Sequence, residues 1–379
     1  MKKITYCTKC WVPSTKPHVN FDDNGVCNAC NSSEIKNDIE KGIDWNQRKK
    51  DFDEIISWTK SQNAVYYDAM VPVSGGKDSI TQVHRLLEKD LRILAVNVDY
   101  GIKTEIGKYN LDRIPSMGAH LLIVRPELKL HKRLMRIGLE EYGDPDLLSH
   151  SLLHSYPLHI AIQFKIPLCL LGENSAFEYG GSNKLSSLKE INRDWFNVYA
   201  ANNGMTAKII SEKYNISLRH LWKYDFPDEI ELNTKIKAIF CNTFFPWNSD
   251  DHLRIAKNYG FKELNKPREG TYKNFIGIDE QINRLHQYIK VLKFGYGRAT
   301  DHACEDIRLK KMSRDEAKAL IKKYDLQPLG KNYLSEISNF LGYSDNQLIK
   351  IIEKYRNQNL WKKKNNDEWI IHNHLEDKL

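Results

Sequence analysis

The chain has 379 residues and a mass of 44.3 kDa, with 41% hydrophobic and 28% charged residues, which excludes a disordered protein and provides for two or three domains. No apolar run reaches the roughly 18 residues of a spanning helix, and the opening Met1-Lys2-Lys3-Ile4-Thr5-Tyr6-Cys7 lacks the apolar core of a secretory signal, so a cytoplasmic protein with no membrane partner is expected. The net charge of +8 is spread along the chain, densest at Lys362-Lys363-Lys364, without a basic stripe interleaved with aromatics; it suits a handler of anionic substrates, and nucleic acid is not expected as a partner.

In chain order, residues 1–45 are rich in Lys, Asn, Asp and Pro and show no helical period, which leaves their cysteines to hold them together as a zinc-binding module. A helical pattern over 46–62 carries Phe52, Ile55, Ile56 and Trp58. β-type runs follow at Ala69–Val73, Ile93–Val98, Leu121–Val124, Ile166–Leu171 and Ile236–Phe240, most of them separated by helix-length intervals. This alternation predicts an α/β domain over 46–260, built on a doubly wound parallel five-stranded sheet. The polar stretch 175–235, with Gly180-Gly181 and Gly204, reads as an insertion or lid over that sheet. After Pro246-Trp247 the strand signals fade, and amphipathic patterns over 280–293, 313–323 and 334–360 predict a mainly helical subdomain over 261–379.

The early cysteines form two pairs, Cys7-x2-Cys10 and Cys27-x2-Cys30, with sixteen residues between them. Four thiolates at this spacing close a tetrahedron around a structural Zn²⁺, and Gly25 suits the turn of a zinc knuckle; an iron centre is the alternative metal, and a cytoplasmic setting disfavours disulfides. Cys169 and Cys241 lie in apolar strand contexts and read as small core residues. His150, His154 and His159 share a helical stretch and read as core or surface histidines.

Met70-Val71-Pro72-Val73 runs directly into Ser74-Gly75-Gly76-Lys77-Asp78-Ser79, after which Ile80, Val83, Leu86 and Leu87 fall at helical spacing. Strand, glycine turn and helix therefore follow in order. Glycines let backbone amides approach phosphate oxygens, Ser74 and Ser79 add hydroxyl donors, and the helix start adds positive potential. Lys77 and Asp78 are candidate catalytic residues, and a carboxylate among phosphates calls for a cation such as Mg²⁺ between them. The alternative is a tight turn capped by Ser and Asp. Asp99 ends the second run, at the edge where open α/β sheets bind ligands, or closes an ordinary turn there. After the fourth run comes Gly172-Glu173-Asn174-Ser175-Ala176-Phe177-Glu178, whose alternative reading is a capped loop with an exposed Glu.

The Ser-Gly-Gly-Lys-Asp-Ser loop resembles the PP-loop of the ATP pyrophosphatases, the superfamily of GMP synthetase, NAD synthetase, asparagine synthetase and the tRNA thiolases. The segment from Gly172 to Glu178 is similar to the loop after the fourth strand in NAD synthetase-like members. This resemblance implies an adenine nucleotide alpha hydrolase-like fold. It also implies ATP held by Ser74, Gly75, Gly76, Lys77, Asp78, Ser79, Asp99, Gly172 and Glu178, with Mg²⁺ shared by Asp78 and Glu178.

Farther along, Lys293-Phe294-Gly295-Tyr296-Gly297-Arg298-Ala299-Thr300-Asp301-His302 with Glu305-Asp306-Ile307-Arg308 resembles a signature of the N-acetyl sugar amidotransferases, PP-loop enzymes of bacterial surface-sugar biosynthesis. The likeness extends over nearly the whole chain, including the cysteine pairs, Glu178-Tyr179-Gly180 and Pro246-Trp247, with Cys304 standing where a small residue such as Ser is expected. Read as chemistry, the block mixes Lys293, Arg298, His302 and Arg308 with Asp301, Glu305 and Asp306; this can hold a phosphate or sugar carboxylate, or form a salt-bridged helix face. The resemblance implies that the N-acetyl oxygen of a sugar such as pseudaminic or legionaminic acid is adenylated and that ammonia then displaces AMP to give an acetamidino group, with Lys293 and Arg298 as further counter-charges. It also implies a separate glutaminase subunit as the ammonia source, since Cys7 is not N-terminal and no nucleophile elbow is evident. The rival is a PP-loop enzyme of tRNA modification, either thiolation or lysidine-type adenylation.

Overall fold

Apolar runs with no polar alternation fit strands covered on both faces, as in a parallel sheet between helical layers. The computed structural model describes residues 4–179, 183–200, 204–364, 368–371 and 374–376, and such a sheet lies at its centre. β1 (Ala69–Pro72), β2 (Ile93–Val98), β3 (His120–Val124), β4 (Leu168–Leu171) and β5 (Lys237–Phe240) are all parallel in the order β3-β2-β1-β4-β5. Side chains alternate between the faces with period two. Ala69, Val71, Ile93, Ala95, Leu168, Leu170 and Ile239 meet Phe52 of helix Trp45–Ser61 and Val83 and Leu86 of helix Lys77–Leu87. Met70, Leu94, Val96, Cys169, Leu171, Ala238 and Phe240 meet Leu158 and Ala161 of helix Ser149–Phe164 on the opposite face. β3 forms one edge, where Ile123 remains 45% exposed.

The stretch 175–235 is not a polar lid. Trp195, Phe196, Phe226 and Leu232 are buried against the second face, so this segment supplies part of the helical layer that a parallel sheet requires. Ala176, Leu185, Ile191 and Ala200 are buried with them, and the large side chains among polar neighbours contribute most because burial free energy scales with area. Gly180-Gly181 lies outside the described residues, and Gly204 has a left-handed φ of +71°.

Residues 1–45 also depart from the expectation. They contain a helix, Asn28–Gly42, capped by Cys27, whose sulfur accepts the Cys30 N–H. An apolar core adds to the cysteines, because Ile4, Tyr6, Trp11, Val12 and Val26 share one buried cluster with Ile282, Leu285, Ile289, Ile321, Leu341, Ile352 and Trp361. Polar contacts fix the same junction. The Trp11 indole N–H donates to Arg314 O at 2.6 Å, the Arg314 guanidinium lies 3.5 Å above the indole ring and donates to Cys7 O, and Lys16 pairs with Asp301 at 3.1 Å.

The C-terminal half contains helices Ile282–Phe294, Arg298–Arg308 and Arg314–Tyr324. The expected third stretch is two helices, Lys331–Leu341 and Asp345–Glu353, parted where Gly342 turns left-handed at φ +82° and Ser344 opens a capping box with Gln347. Strand signals do not end at Trp247, since β6 (Trp361–Lys363) and β7 (Trp369–Ile371) pair antiparallel. Among the described residues, no helix is long and apolar enough to cross a membrane.

Trp11 is 2% exposed at the junction of the chain's two ends. Replacing it with Ala is expected to cost about 3–5 kcal/mol, read by urea denaturation as one cooperative transition. Early loss of the first 45 residues while the C-terminal helices stay folded would contradict a shared core.

Candidate functional site

In an open parallel sheet the ligand crevice lies at the carboxyl ends of the strands, where the connections reverse direction. Here β1 pairs with β2 on one side and β4 on the other, so the reversal falls between β1 and β4. The loop Ser74–Ser79 leaves β1 at that point and Gly172–Glu178 leaves β4, which brings together the two segments that the sequence marked independently.

Gly75 takes φ +93°, and a Cβ there would stand 3.0 Å from both Gly107 O and Leu111 N of helix Glu105–Leu111. Only glycine fits this conformation and this approach. Gly76 starts helix Lys77–Leu87 with no side-chain cap, which leaves the helix's first amides available to an anion. Only Ser79 is committed as a donor: its Oγ donates to Gly76 O at 2.9 Å, whereas Ser74 Oγ accepts the Gly76 N–H at 3.1 Å.

Lys77 Nζ donates to both oxygens of Asp78 at 2.7 and 2.8 Å, and His252 Nδ1 donates to Asp78 Oδ1 at 2.7 Å. Burial opposes the charge on Asp78, but Lys77 and His252 hold its pKa down at about 2. Glu173 responds in the opposite sense. Burial, then the charges of Asp78 and Glu178, push it up to about 7. Glu178 is oriented by Asn242, whose Nδ2 donates to Oε1 at 2.8 Å, while Asn242 Oδ1 accepts the Asn174 N–H. Asn174 in turn accepts from the Trp195 indole and donates to Leu185 O, pinning the loop to the helical layer. A Cβ on Gly172 would stand at ordinary contact distance from Gln82 and Trp247. Three carboxylates, Asp78, Glu173 and Glu178, thus share one crevice with Lys77, close enough for Glu173 to feel the charges of all three neighbours.

A small cleft lies on the β2 side of the same loop, lined by Ser74, Asn97, Asp99, Lys103, Asp279 and Glu280 with an apolar wall that includes Leu153. Asp99 reaches it but is engaged, with Oδ2 paired to Arg125 at 2.9 Å and Oδ1 accepting the Gly101 N–H. Its far wall belongs to the C-terminal half: Gln281 N donates to Ile102 O, Thr104 N donates to Asp279 O, and a Cβ on Gly107 would stand 2.3 Å from Asp279 O.

The expected C-terminal charges are spread over several places. Arg298 is hydrogen-bonded to Asn283, packs on Gly277 and feels the charges of Asp279 and Glu280, so it supports the far wall of the cleft. Lys293 sits near the opposite end of helix Ile282–Phe294, about 16 Å of helix rise from Ile282; it donates to Tyr142 O and lies over the Tyr355 ring. Asp301 pairs with Lys16 and Lys290, Asp306 with Lys273 at 2.9 Å, and His302 with Thr271 at 3.0 Å. Most of the block therefore holds itself together. Of the helical histidines, His154 donates to His150 O at 2.8 Å and is pushed down to about 4 by burial, and His159 donates to Asp225 O, as satisfied structural residues do.

The four early cysteines converge, with every pair of sulfurs within 4.8 Å and the Cys10–Cys27 and Cys7–Cys30 pairs at 3.8 and 4.0 Å. Zn–S bonds of about 2.3 Å give tetrahedral edges of about 3.8 Å, so the set fits zinc. Backbone N–H groups of Cys10 and Cys27 point at the Cys7 sulfur, which favours thiolate there. No disulfide joins any of the described cysteines. Cys304 packs in the same buried cluster, and Arg308 faces these sulfurs, its cation set against the thiolates. Cys169 and Cys241 are buried, with thiols pushed above their usual range by burial, as core residues.

His252, Glu173, Lys103, Asn97, Asp279 and Glu280 were missed by sequence reasoning. Glu173 stood inside a recognised segment, and its position directly after a strand at the switch point was an available signal. Asn97 likewise stood two residues before Asp99 in the second run, whereas the others come from segments whose nearness to the loop only the fold creates.

Residues 269–376 match a family model described as LPS biosynthesis protein WbpG-like, C-terminal domain. None of the curated proteins matches the chain. The matched segment contains the Asp279-Glu280 wall, Lys293 and Arg298.

Two outcomes are expected. Below pH 7 Glu173 keeps its proton and above it becomes a carboxylate, so Mg²⁺ affinity measured by calorimetry should rise between pH 6 and pH 8, and Glu173→Gln should flatten that rise. Elemental analysis should find about one zinc per chain, lost in Cys10→Ser; since the cysteines share a core with the C-terminal helices, chelation should lower the melting temperature of the whole chain, and an unchanged transition would refute that coupling.

Proposed function

We propose that the chain is an ATP-dependent sugar amidotransferase that adenylates the N-acetyl oxygen of a bacterial surface sugar, a nonulosonic acid or a nucleotide-linked N-acetyl sugar, and replaces that oxygen with ammonia. One observation carries the reading: an uncapped helix start with a glycine approach and a Lys77–Asp78 pair stands at the switch point of a parallel sheet, beside a wall contributed by the segment that matches a surface-polysaccharide biosynthesis model.

An amide is a poor electrophile because nitrogen donates into its carbonyl, and adenylation converts the oxygen into a leaving group. The first amides of helix Lys77–Leu87 and the Lys77 ammonium suit the charge of a departing pyrophosphate. Asp78, with Glu173 or Glu178, would hold Mg²⁺, which would supply further charge neutralisation at the phosphates. Ammonia would come from a separate glutaminase subunit, and zinc on Cys7, Cys10, Cys27 and Cys30 has a structural part.

The test is pyrophosphate release from ATP and Mg²⁺ with ammonium chloride and a panel of N-acetylated sugars, followed together with the mass change for exchanging O for NH. Sugar-dependent release with that change is expected, reduced about a hundredfold or more in Asp78→Ala. Release stimulated by unmodified tRNA, with no response to any sugar, would transfer the chain to the tRNA-modifying enzymes.

A further inference from the structure

The cleft between Ser74 and Asp279 contains three carboxylates, two of which already have partners. Asp99 is bound to Arg125 and to the Gly101 amide, and Glu280 accepts the Ile282 and Asn283 N–H groups at 2.5 and 2.9 Å as the cap of helix Ile282–Phe294. The Asp279 carboxylate has no hydrogen-bond or ion-pair partner among the described residues, although its backbone is fixed by Thr104. The ammonium of Lys103, whose backbone bridges to Glu280, is in the same condition, half-buried and without a partner within ion-pair distance among the described residues. A third group points to the ligand independently. Asn97 is 1% exposed, and its Nδ2 donates to Val73 O at 2.6 Å, which leaves its buried Oδ1 without a donor. A buried acceptor in this state costs free energy until a ligand donates to it.

The cleft therefore fits a ligand that brings an N–H for Asp279, a second donor for Asn97, a negative charge for Lys103 and a small apolar group for the wall at Leu153 and Ile102. An N-acetylated sugar lying against the α-phosphate of a nucleotide held at Ser74 has all four, its amide supplying the N–H and the methyl group and a hydroxyl the second donor. We propose that Asp279 is the general base of the adenylation step, with Lys103 facing the α-phosphate and Asn97 Oδ1 accepting from a hydroxyl of the sugar. This rests on the amidotransferase reading above. As the carbonyl oxygen forms its bond to the α-phosphorus, the bond from that phosphorus to the bridging oxygen breaks and pyrophosphate leaves with the electron pair. The amide N–H bond breaks in concert, its proton passes to Asp279, and its electrons form the C=N bond of the neutral O-adenylated imidate. No oxidant or reductant is involved.

The experiment compares wild type, Asp279→Asn, Asp279→Glu and Lys103→Met in sugar-dependent pyrophosphate release, alongside equilibrium binding of an ATP analogue with a methylene between the α- and β-phosphorus. Asp279→Asn is expected to lose about a hundredfold or more in kcat while binding the analogue as wild type does; Asp279→Glu should recover at least a tenth of wild-type kcat, a rescue that a structural role would not give. Lys103→Met should lose kcat as well. Asp279→Asn with kcat within about threefold of wild type overturns the assignment and leaves the amidotransferase reading standing. Should Asp279→Asn fail to fold, the Asp279→Glu rescue and the Lys103→Met loss decide the matter, and wild-type kcat in Lys103→Met overturns the assignment. A wild type that binds the analogue but releases no pyrophosphate with any N-acetylated sugar overturns both.

Discussion

Two glycines set how closely three pieces of backbone meet, and the site depends on that approach. Gly75 brings the phosphate-loop candidate against Gly107 and Leu111, and Gly107 brings the same short helix against Asp279. A methyl group at either place would force the walls of the cleft apart, and close-packed interiors accommodate such an insertion only by moving backbone. The two halves of the chain are therefore registered by contact of main chain with main chain, which is stiffer than any pairing of long side chains.

Charge is arranged around this scaffold in graded fashion. Asp78 is held ionised between Lys77 and His252, and Glu173, beside it, is held near the point of ionisation by burial and by that neighbour's charge. Two carboxylates in one crevice with pKa values driven apart give a site that releases a proton whenever a cation arrives. On the other side of the loop the charges are less balanced locally, since the Asp279 carboxylate and the Lys103 ammonium border a cleft without a hydrogen-bond or ion-pair partner among the described residues. Residues that fold the protein have their partners already, as Glu280, Asp99, Asp301 and Asp306 do.

The sheet was legible because strands buried on both faces leave uninterrupted apolar runs, and all five runs became strands within a few residues of the expected limits. The cysteine cluster was legible because metal ligation works through short local spacings. Three features were hidden for physical reasons. Helix Asn28–Gly42 has a polar sequence and is initiated by a cysteine cap and tertiary contacts, so periodicity does not reveal it. Segment 175–235 buries a few large aromatics among many polar residues, and its composition reads as a loop. His252, Lys103 and Asp279 carry no local pattern because their significance arises from distances across the fold, 174 residues between His252 and Asp78 in one case.

The core shared by the chain's two ends bears on the order of events during synthesis. Trp11 bonds a residue 303 positions later, Thr15 one 279 later, and Tyr6 one 369 later. Ile4, Tyr6 and Trp11 thus emerge from the ribosome with their apolar surface unmatched and remain so until the C-terminal helices follow. The four thiols, by contrast, are complete by residue 30. The four sulfurs that could hold a metal are local and the docking is not, so a metal taken up there would gather this segment before the end of the chain closes over it.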